Sequence, residues 1–288
     1  MKILGHNINE IGDYLKNEYN NHEDLFRRPP KYVWRRIISK LTPNLGLSIL
    51  GVRGAGKSCL YDYLKLCQNG IYRCPSNYAL PDATGFPKEI EELKIKTKEG
   101  YIITINKGQD VSGDRVSGIY KGAVEHSDVI IYLIPSDKYM ENFEDIRKKI
   151  LAQLYLVYIF ILEKETNLKN EIKQLEEKKD NKTKEEKKKL KTDMEKLKLG
   201  THIFIIPTWK DKIRTITDKD IRDDFYNSLK KDEKFHEFLF GRDTKVKFLN
   251  MIEMVKDNKL NLKPLDEMRH KLFEEIVKII KKQKSYYI

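Results

Sequence analysis

The chain has 288 residues, 40% of them apolar, which is enough for one large domain or one domain with an appendage. Charged residues make up 35%, against about a quarter in an average globular chain. The net charge of +12 and pI near 9.3 favour acidic partners: nucleic acid, an anionic membrane surface or an acidic protein. A Lys-rich composition with no such partner gives the same numbers. Cys59, Cys67 and Cys74 are an odd set without metal-ligand spacing. They exclude a disulfide framework and point to a reduced, cytoplasmic protein. Met1–Asn9 lacks the apolar segment of a secretory signal. The longest uncharged stretch, Ile150–Leu162, falls short of the roughly 18–20 residues that span a bilayer, so no transmembrane segment is expected.

Residues 1–44 form a leader, expected to be helical around Asn7–Glu18 and Tyr32–Leu41. Within it Arg27, Arg28, Lys31, Trp34, Arg35, Arg36 and Lys40 interleave basic and aromatic side chains. That pattern suits phosphates or an acidic partner, and equally the solvated face of an amphipathic helix. From Leu45 onward short apolar runs alternate with helical patterns. The runs are Leu45–Leu50, Leu93–Ile95, Tyr101–Ile105, Val129–Ile134, Ile203–Ile206 and Val246–Leu249. Helical patterns occupy Gly56–Leu66, Asp114–Glu125, Glu141–Leu162, Asp218–Phe240 and Leu265–Lys281. Such alternation predicts an α/β fold with a mostly parallel sheet covered on both faces. The exception is the pair Glu91–Thr97 and Tyr101–Lys107, whose short connection requires an antiparallel pairing.

Glu163–Leu199 has another character, with 13 basic and 10 acidic residues. Its sparse apolar residues, Leu168, Ile172 and Leu175, then Leu190, Met194 and Leu197, follow i, i+4, i+7 and share a helix face. Asp180–Thr183 interrupts the pattern, and Thr183 with Glu186 fits a capping box. Folding back at Thr183 gives an antiparallel, coiled-coil-like helical hairpin that Gly200 can terminate. The alternative is a solvated insertion without a partner. The expected organisation is a leader at 1–44, a main domain over 45–162 and 200–288, and a hairpin inserted at 163–199.

Three motifs carry chemistry. Gly51-Val-Arg-Gly-Ala-Gly-Lys57-Ser58 matches G-x-x-x-x-G-K-[ST], between an apolar run and a helical pattern as a P-loop requires. Gly51, Arg53, Gly54, Ala55, Gly56, Lys57, Ser58 and Cys59 are the candidate phosphate-binding residues. The glycines let backbone N–H groups close around phosphate oxygens, Lys57 neutralises the β- and γ-phosphates, and the Ser58 hydroxyl ligates Mg²⁺. Asp110-Val-Ser-Gly113 follows the Tyr101–Lys107 run. An acid there can hold the magnesium shell, and the Gly113 N–H can meet the γ-phosphate. Thr208-Trp209-Lys210-Asp211 follows Ile203–Pro207.

In this order the motifs resemble those of Ras-like and Arf-like GTPases of the translation-factor class, over roughly residues 45–162 and 200–284. The resemblance implies a P-loop GTPase three-layer sandwich, with a mostly parallel six-stranded sheet interrupted by the hairpin. It implies GTP or GDP with Mg²⁺ as the bound species. It makes Thr208–Asp211 the base-reading N/T-K-x-D loop, with Asp211 accepting from N1–H and the 2-amino group of guanine. Trp209 stands where such proteins carry lysine, and its indole can cover the base face by stacking. The resemblance also implies a first-switch threonine on Mg²⁺, for which Thr84 is the candidate and Ser76 and Thr97 are rivals. A last base-contacting loop is implied near Asn250–Met251, without a clear S-A-K. Some bacterial conflict-system GTPases are loosely similar in carrying such decorations.

Two departures bear on catalysis. Asp114 follows Gly113 where relatives place a water-orienting glutamine. Arg53 occupies the third P-loop position, where it reaches the γ-phosphate, blocks an incoming arginine finger or simply points to solvent; Arg115 is another internal cation. The expected activity is therefore a GTP-binding switch or slow GTP hydrolase signalling to a protein partner. A P-loop ATPase and a non-hydrolysing nucleotide-bound scaffold are the alternatives.

Overall fold

The computed structural model describes residues 2–3, 6–7, 45–68, 88–90, 93–96, 102–105, 108–110, 117–137, 143–177, 185–186, 190, 194, 197, 200–209, 217–230, 232–242, 244–257 and 259–285. At its centre is a six-stranded sheet. The strands are β1 (Leu45–Gly51), β2 (Leu93–Lys96), β3 (Ile102–Ile105), β4 (Val129–Pro135), β5 (His202–Thr208) and β6 (Val246–Phe248). They lie side by side in the order β6-β5-β4-β1-β3-β2. All neighbours are parallel except β2 and β3, which pair antiparallel with Leu93 opposite Ile105 and Lys96 opposite Ile102. All six apolar runs thus become strands, and the pair with the short connection is the antiparallel one.

Strand composition explains the layering. β4, Val-Ile-Ile-Tyr-Leu-Ile-Pro, is buried at all seven positions, as a central parallel strand covered on both faces must be. Its β-branched residues suit the pleat. Ile130, Ile131, Leu133 and Ile134 are completely buried, each contributing about 1.5–3 kcal/mol on transfer from water. Helices α1 (Lys57–Gln68) and α6 (Leu262–Ser285) pack together, and α2 (Ser117–His126) packs along α3 (Phe143–Glu177). Two shorter helices, α4 (Asp218–Ser228) and α5 (Glu233–Phe240), complete the covering. The chain therefore has an α/β sandwich with β1 in the middle. The order reverses at β1, which lies between β3 and β4, and ligands of open α/β sheets commonly bind beyond the carboxyl ends of strands at such a point.

Three local features differ from the sequence expectation. The pattern over Asp218–Phe240 is broken: Thr217 caps α4 with a reciprocal capping box to Asp220, and Asp232 caps α5 by accepting from the Phe235 amide at 3.1 Å. The helix expected over Glu141–Leu162 runs on to Glu177, about 52 Å at 1.5 Å per residue. One stripe explains its length. Ile150, Leu154, Val157 and Ile161 are buried in the main core, and Ile172 and Leu175 are buried outside that cluster. In the leader, Asn7 pairs as a short strand with Lys2 rather than starting a helix. The remainder of the leader, including its basic–aromatic cluster, lies outside the described residues, as does the Asp180–Thr183 turn.

Candidate functional site

The loop between β1 and α1 follows the carboxyl end of β1 at this point. Gly51, Gly54 and Gly56 have φ of 143°, 81° and 85°, values that side-chain-bearing residues rarely adopt. At Gly51 and Gly56 space is as restrictive as angle. A Cβ on Gly51 would stand 2.4 Å from the Leu133 carbonyl oxygen of β4, and one on Gly56 would stand 2.5 Å from the Met254 sulfur. The Ala55 amide donates to the Val52 carbonyl at 3.2 Å, closing the loop on itself. α1 then starts at Lys57 with no acidic residue of its own in the first turn to offset the positive end of the helix dipole. The Lys57 ammonium folds back over the loop and donates to the Gly51 and Val52 carbonyls at 3.0 and 3.1 Å. Arg53 is exposed, Ser58 is half-buried and Cys59 is buried beneath the helix start.

α1 is held from the opposite side. Tyr63 donates to Asp266 of α6 at 2.5 Å, and Arg269 donates to the Tyr63 oxygen at 2.8 Å and to Asp266 at 3.0 Å. Burial pushes the Tyr63 hydroxyl well above its ordinary pKa, so it remains a donor. This triad fixes the direction of α1, and with it the direction of the N–H groups at its first turn.

The third motif closes on the P-loop. Thr208, fully buried at the end of β5, places its hydroxyl 3.0 Å from the Ala55 carbonyl and 3.1 Å from the Ile134 carbonyl. Trp209, at φ 65°, donates its indole N–H to the Gly54 carbonyl at 2.7 Å. Two consecutive side chains thus grip two consecutive P-loop carbonyls across more than 150 residues of sequence.

The chain after β6 joins the same assembly. The Leu249 amide donates to the Ile205 carbonyl and the Ile252 amide to the Pro207 carbonyl, so residues 249–252 track β5 toward the P-loop. Asn250 is exposed in this segment, and Met254 is buried under Gly56. Sequence reasoning did not single out Met254; an apolar residue in a loop carries no sign of which backbone it will meet.

The D-x-x-G segment is described only in part. β2 and β3 end their pairing at Leu93 and Ile105, and an antiparallel ladder resumes with Ile90 opposite Gly108 and Lys88 opposite Asp110. Asp110 therefore ends this second ladder rather than β3 itself, farther along the direction in which β1 runs into the P-loop. Thr84, Gly113, Asp114, Lys210 and Asp211 lie outside the described residues, as do the rivals Ser76 and Thr97 and the cation Arg115. Among the described residues no cluster of His, Cys, Asp or Glu forms a metal site, and no helix is long and apolar enough to cross a membrane.

Behind the P-loop lies a buried polar group that the sequence did not reveal. Tyr120 of α2 and Tyr132 of β4 each donate to Gln153 Oε1 of α3 at 2.7 Å. Burial pushes both phenols well above their ordinary pKa. At the far end of α2, Lys164 of α3 donates to the Val124 and Ser127 carbonyls at 3.0 and 2.7 Å, with Thr201 Oγ1 at 3.3 Å.

The central β1, the mostly parallel order around it and the glycine-shaped loop between β1 and α1 make this an α/β fold of the P-loop type. No protein-family model and no curated protein matches the sequence. Among solved structures, the chain is similar to the signal recognition particle receptor SRb-GTP/SRX complex from Chaetomium thermophilum. The identity is 13% and the TM-score 0.46, covering 75% of this chain and 93% of that one. It is similar to the Arl6 BBS3 small GTPase from Trypanosoma brucei with bound GppNp at 12% identity and TM-score 0.43, covering 84% and 99%. It also matches the bacterial selenocysteine-specific elongation factor EF-Sec at 11% identity and TM-score 0.40, covering 81% of this chain but 29% of the factor. At these identities the likeness is one of fold alone.

Proposed function

We propose that this chain binds GTP with Mg²⁺ at Gly51–Ser58 and acts as a nucleotide switch or slow GTP hydrolase. The observation that carries the reading is the grip of Thr208 and Trp209 on the Ala55 and Gly54 carbonyls. It ties the end of β5 to the loop after β1, which supports a reading in which one nucleotide is held at its phosphates by the loop and at its base by the segment after Thr208. The P-loop fits the phosphates on its own terms: a glycine-shaped cradle, a helix N-terminus without acid, and an ammonium poised over the loop.

In this reading Lys57 meets the β- and γ-phosphates, and the amides of 54–59 orient them. Ser58, Thr84 and Asp110 would hold Mg²⁺, which when bound neutralises charge on the β- and γ-oxygens. The Gly113 amide reads the γ-phosphate, and loss of that phosphate releases the loops around Thr84 and Gly113. Asp114, in place of a neutral amide, repels the γ-phosphate and keeps turnover slow. Arg53, exposed on the loop, is the internal cation best placed to offset that repulsion. Trp209 covers the base, Asp211 selects guanine, and Asn250 borders the base on the segment after β6. The division into a 1–44 leader, a nucleotide-binding body and a 163–199 hairpin belongs to the same proposal. Leader and hairpin are the elements that reach a protein effector.

The test is Asp211→Asn titrated with GTP, xanthosine triphosphate and ATP. The new amide opposes the guanine amino group and can donate to the xanthine carbonyl. GTP binding is expected to weaken about ten- to a hundredfold while xanthosine triphosphate binding improves. A mutant that keeps its GTP preference removes Thr208–Asp211 as the base-reading loop and puts the ATPase alternative first. Single-turnover measurement of phosphate release separates a hydrolase from a non-hydrolysing scaffold.

A further inference from the structure

We propose that Met254 is a positioning residue for the phosphate-binding amides, acting by direct contact on Gly56, with Asn261 holding Met254 in place. The proposal rests on the P-loop being a triphosphate site. Met254 is completely buried. Its sulfur stands 2.5 Å from the point where a Cβ on Gly56 would lie, and its terminal methyl 3.4 Å from it. The thioether therefore lies against the bare Cα face of the glycine. The Trp209 ring approaches the same point to 3.6 Å, so Gly56 sits in a socket made by two side chains.

Gly56 is where such a socket matters most. Glycine reaches a φ of 85° at little cost but has no preference that keeps it there, so its surroundings set the angle. Its carbonyl accepts from the Leu60 amide at 3.0 Å, which opens the hydrogen-bond series of α1. Its amide belongs to the planar peptide unit whose carbonyl, that of Ala55, accepts from Thr208 at 3.0 Å. Thr208 holds one end of that plane, and Met254 bears on the other at the Gly56 Cα. The Gly56 and Lys57 amides, at the turn from loop to helix, are the donors this arrangement aims.

A methionine side chain is flexible and makes a weak brace unless its backbone is held. Here it is held on both sides. Ile252, two residues earlier, forms a parallel bridge with Thr208. The Asn261 amide donates to the Met254 carbonyl at 2.9 Å, and Asn261 Nδ2 donates to Glu253 Oε2 at 2.8 Å. Between these residues Val255 pairs with Leu260 and Lys256 with Lys259, closing a tight turn. Asn261 stands immediately before α6, and its carbonyl accepts from the Leu265 amide at 3.4 Å. α6 already braces α1 through Asp266 and Arg269 on Tyr63. The same stretch of chain thus supports both the entry to α1 and its middle.

The experiment is calorimetric titration of the full chain with Mg²⁺-tripolyphosphate, which carries phosphates without a base, and with a non-hydrolysable GTP analogue. Thermal melting without ligand accompanies it. Met254→Ala is expected to weaken both ligands by the same factor, on the order of tenfold, because the cavity left beneath Gly56 frees its amide to turn. Leu272→Ala is the control, since Leu272 is 1% exposed on α6 beyond Arg269. It is expected to lower the melting temperature as far and to change either affinity by less than about twofold. Unchanged tripolyphosphate affinity in Met254→Ala, or equal losses of affinity in the two variants, overturns the positioning role. If Met254→Ala does not fold, the Met254 methyl resonance is followed in wild type carrying isotope-labelled methionine, assigned by the volume-conserving Met254→Leu. That resonance is expected to shift as tripolyphosphate saturates the chain, and one that stays in place overturns the proposal. A wild-type chain that binds neither ligand overturns the nucleotide reading on which the proposal rests, a failure seen without any variant.

Discussion

Two lysines grip main-chain carbonyls at opposite ends of the sheet, and the helix ends they sit on give them opposite meanings. Lys57 holds the Gly51 and Val52 carbonyls at the first turn of α1. A cation there meets the positive end of the helix dipole and is disfavoured by about 0.3–1 kcal/mol. Lys164 holds the Val124 and Ser127 carbonyls at the last turn of α2, where the dipole welcomes it. Under the proposed function the first lysine waits for a ligand that reverses the local field. The second completes the structure by itself. Hydrogen-bond lists alone make the two look alike; the sign of the helix end separates them.

The sharpest break in this comparison is Lys57→Ala. It should lose the triphosphate by at least about a hundredfold, equivalent to roughly 3 kcal/mol of charge-assisted bonding, while the nucleotide-free protein melts within a few degrees of wild type. Titration and melting check the two halves, and an unchanged affinity ends the P-loop assignment. Lys164→Met should do the reverse. Removing its charge from three oxygens should cost about 2–3 kcal/mol of stability, a fall in Tm on the order of 5–10 °C, with nucleotide affinity changed less than about twofold.

The same lysine marks where the body of the protein ends. Glu163 pairs with Lys121, Glu165 with Lys245, and Lys164 caps α2, so the first residues of the charged segment belong to the body. Replacing Asn167–Leu199 by a short Gly-Ser linker should preserve stability, whereas replacing Glu163–Leu199 should reproduce the Lys164→Met loss. Equal melting of the two deletions would place the boundary elsewhere. The smallest expected effect is in the projecting part of α3. Ile172→Ala should shift Tm by less than about 2 °C, because Ile172 is buried outside the main core cluster. A larger shift would make the arm part of the core.

These boundaries show which features of the molecule a sequence carries. The strands were readable because β4 and β5 are buried on both faces, and a doubly buried strand must be an uninterrupted apolar run. The P-loop was readable because its geometry is local: the glycines that permit its angles are adjacent to the lysine that uses them. Thr208 and Trp209 were readable as a motif, but their grip on Gly54 and Ala55 was not, since a side chain does not name a distant carbonyl. Gln153 and Lys164 were missed for the same reason. Gln153 sits in an apolar stretch and Lys164 in a charged one, and only the packed helices reveal that both face α2. The start of the charge-rich segment looked like the end of a domain. Charge density changes there, but the buried stripe of α3 continues through it. The split of 218–240 was signalled by Asp232, a side-chain acceptor three residues ahead of the Phe235 amide.

Trp209 has a consequence beyond the base it is expected to cover. It is one of two tryptophans in the chain, the other being Trp34. Its indole N–H is bound to the carbonyl of Gly54, in the middle of the loop that would wrap a phosphate. Indole emission responds to the polarity of its surroundings and to the partner of that N–H. Any rearrangement of the loop must therefore alter the emission of this ring, and Trp34→Phe would leave it as the sole tryptophan, read by excitation at wavelengths that tyrosine does not absorb. The protein carries an intrinsic optical gauge of its own P-loop, readable in real time without a label.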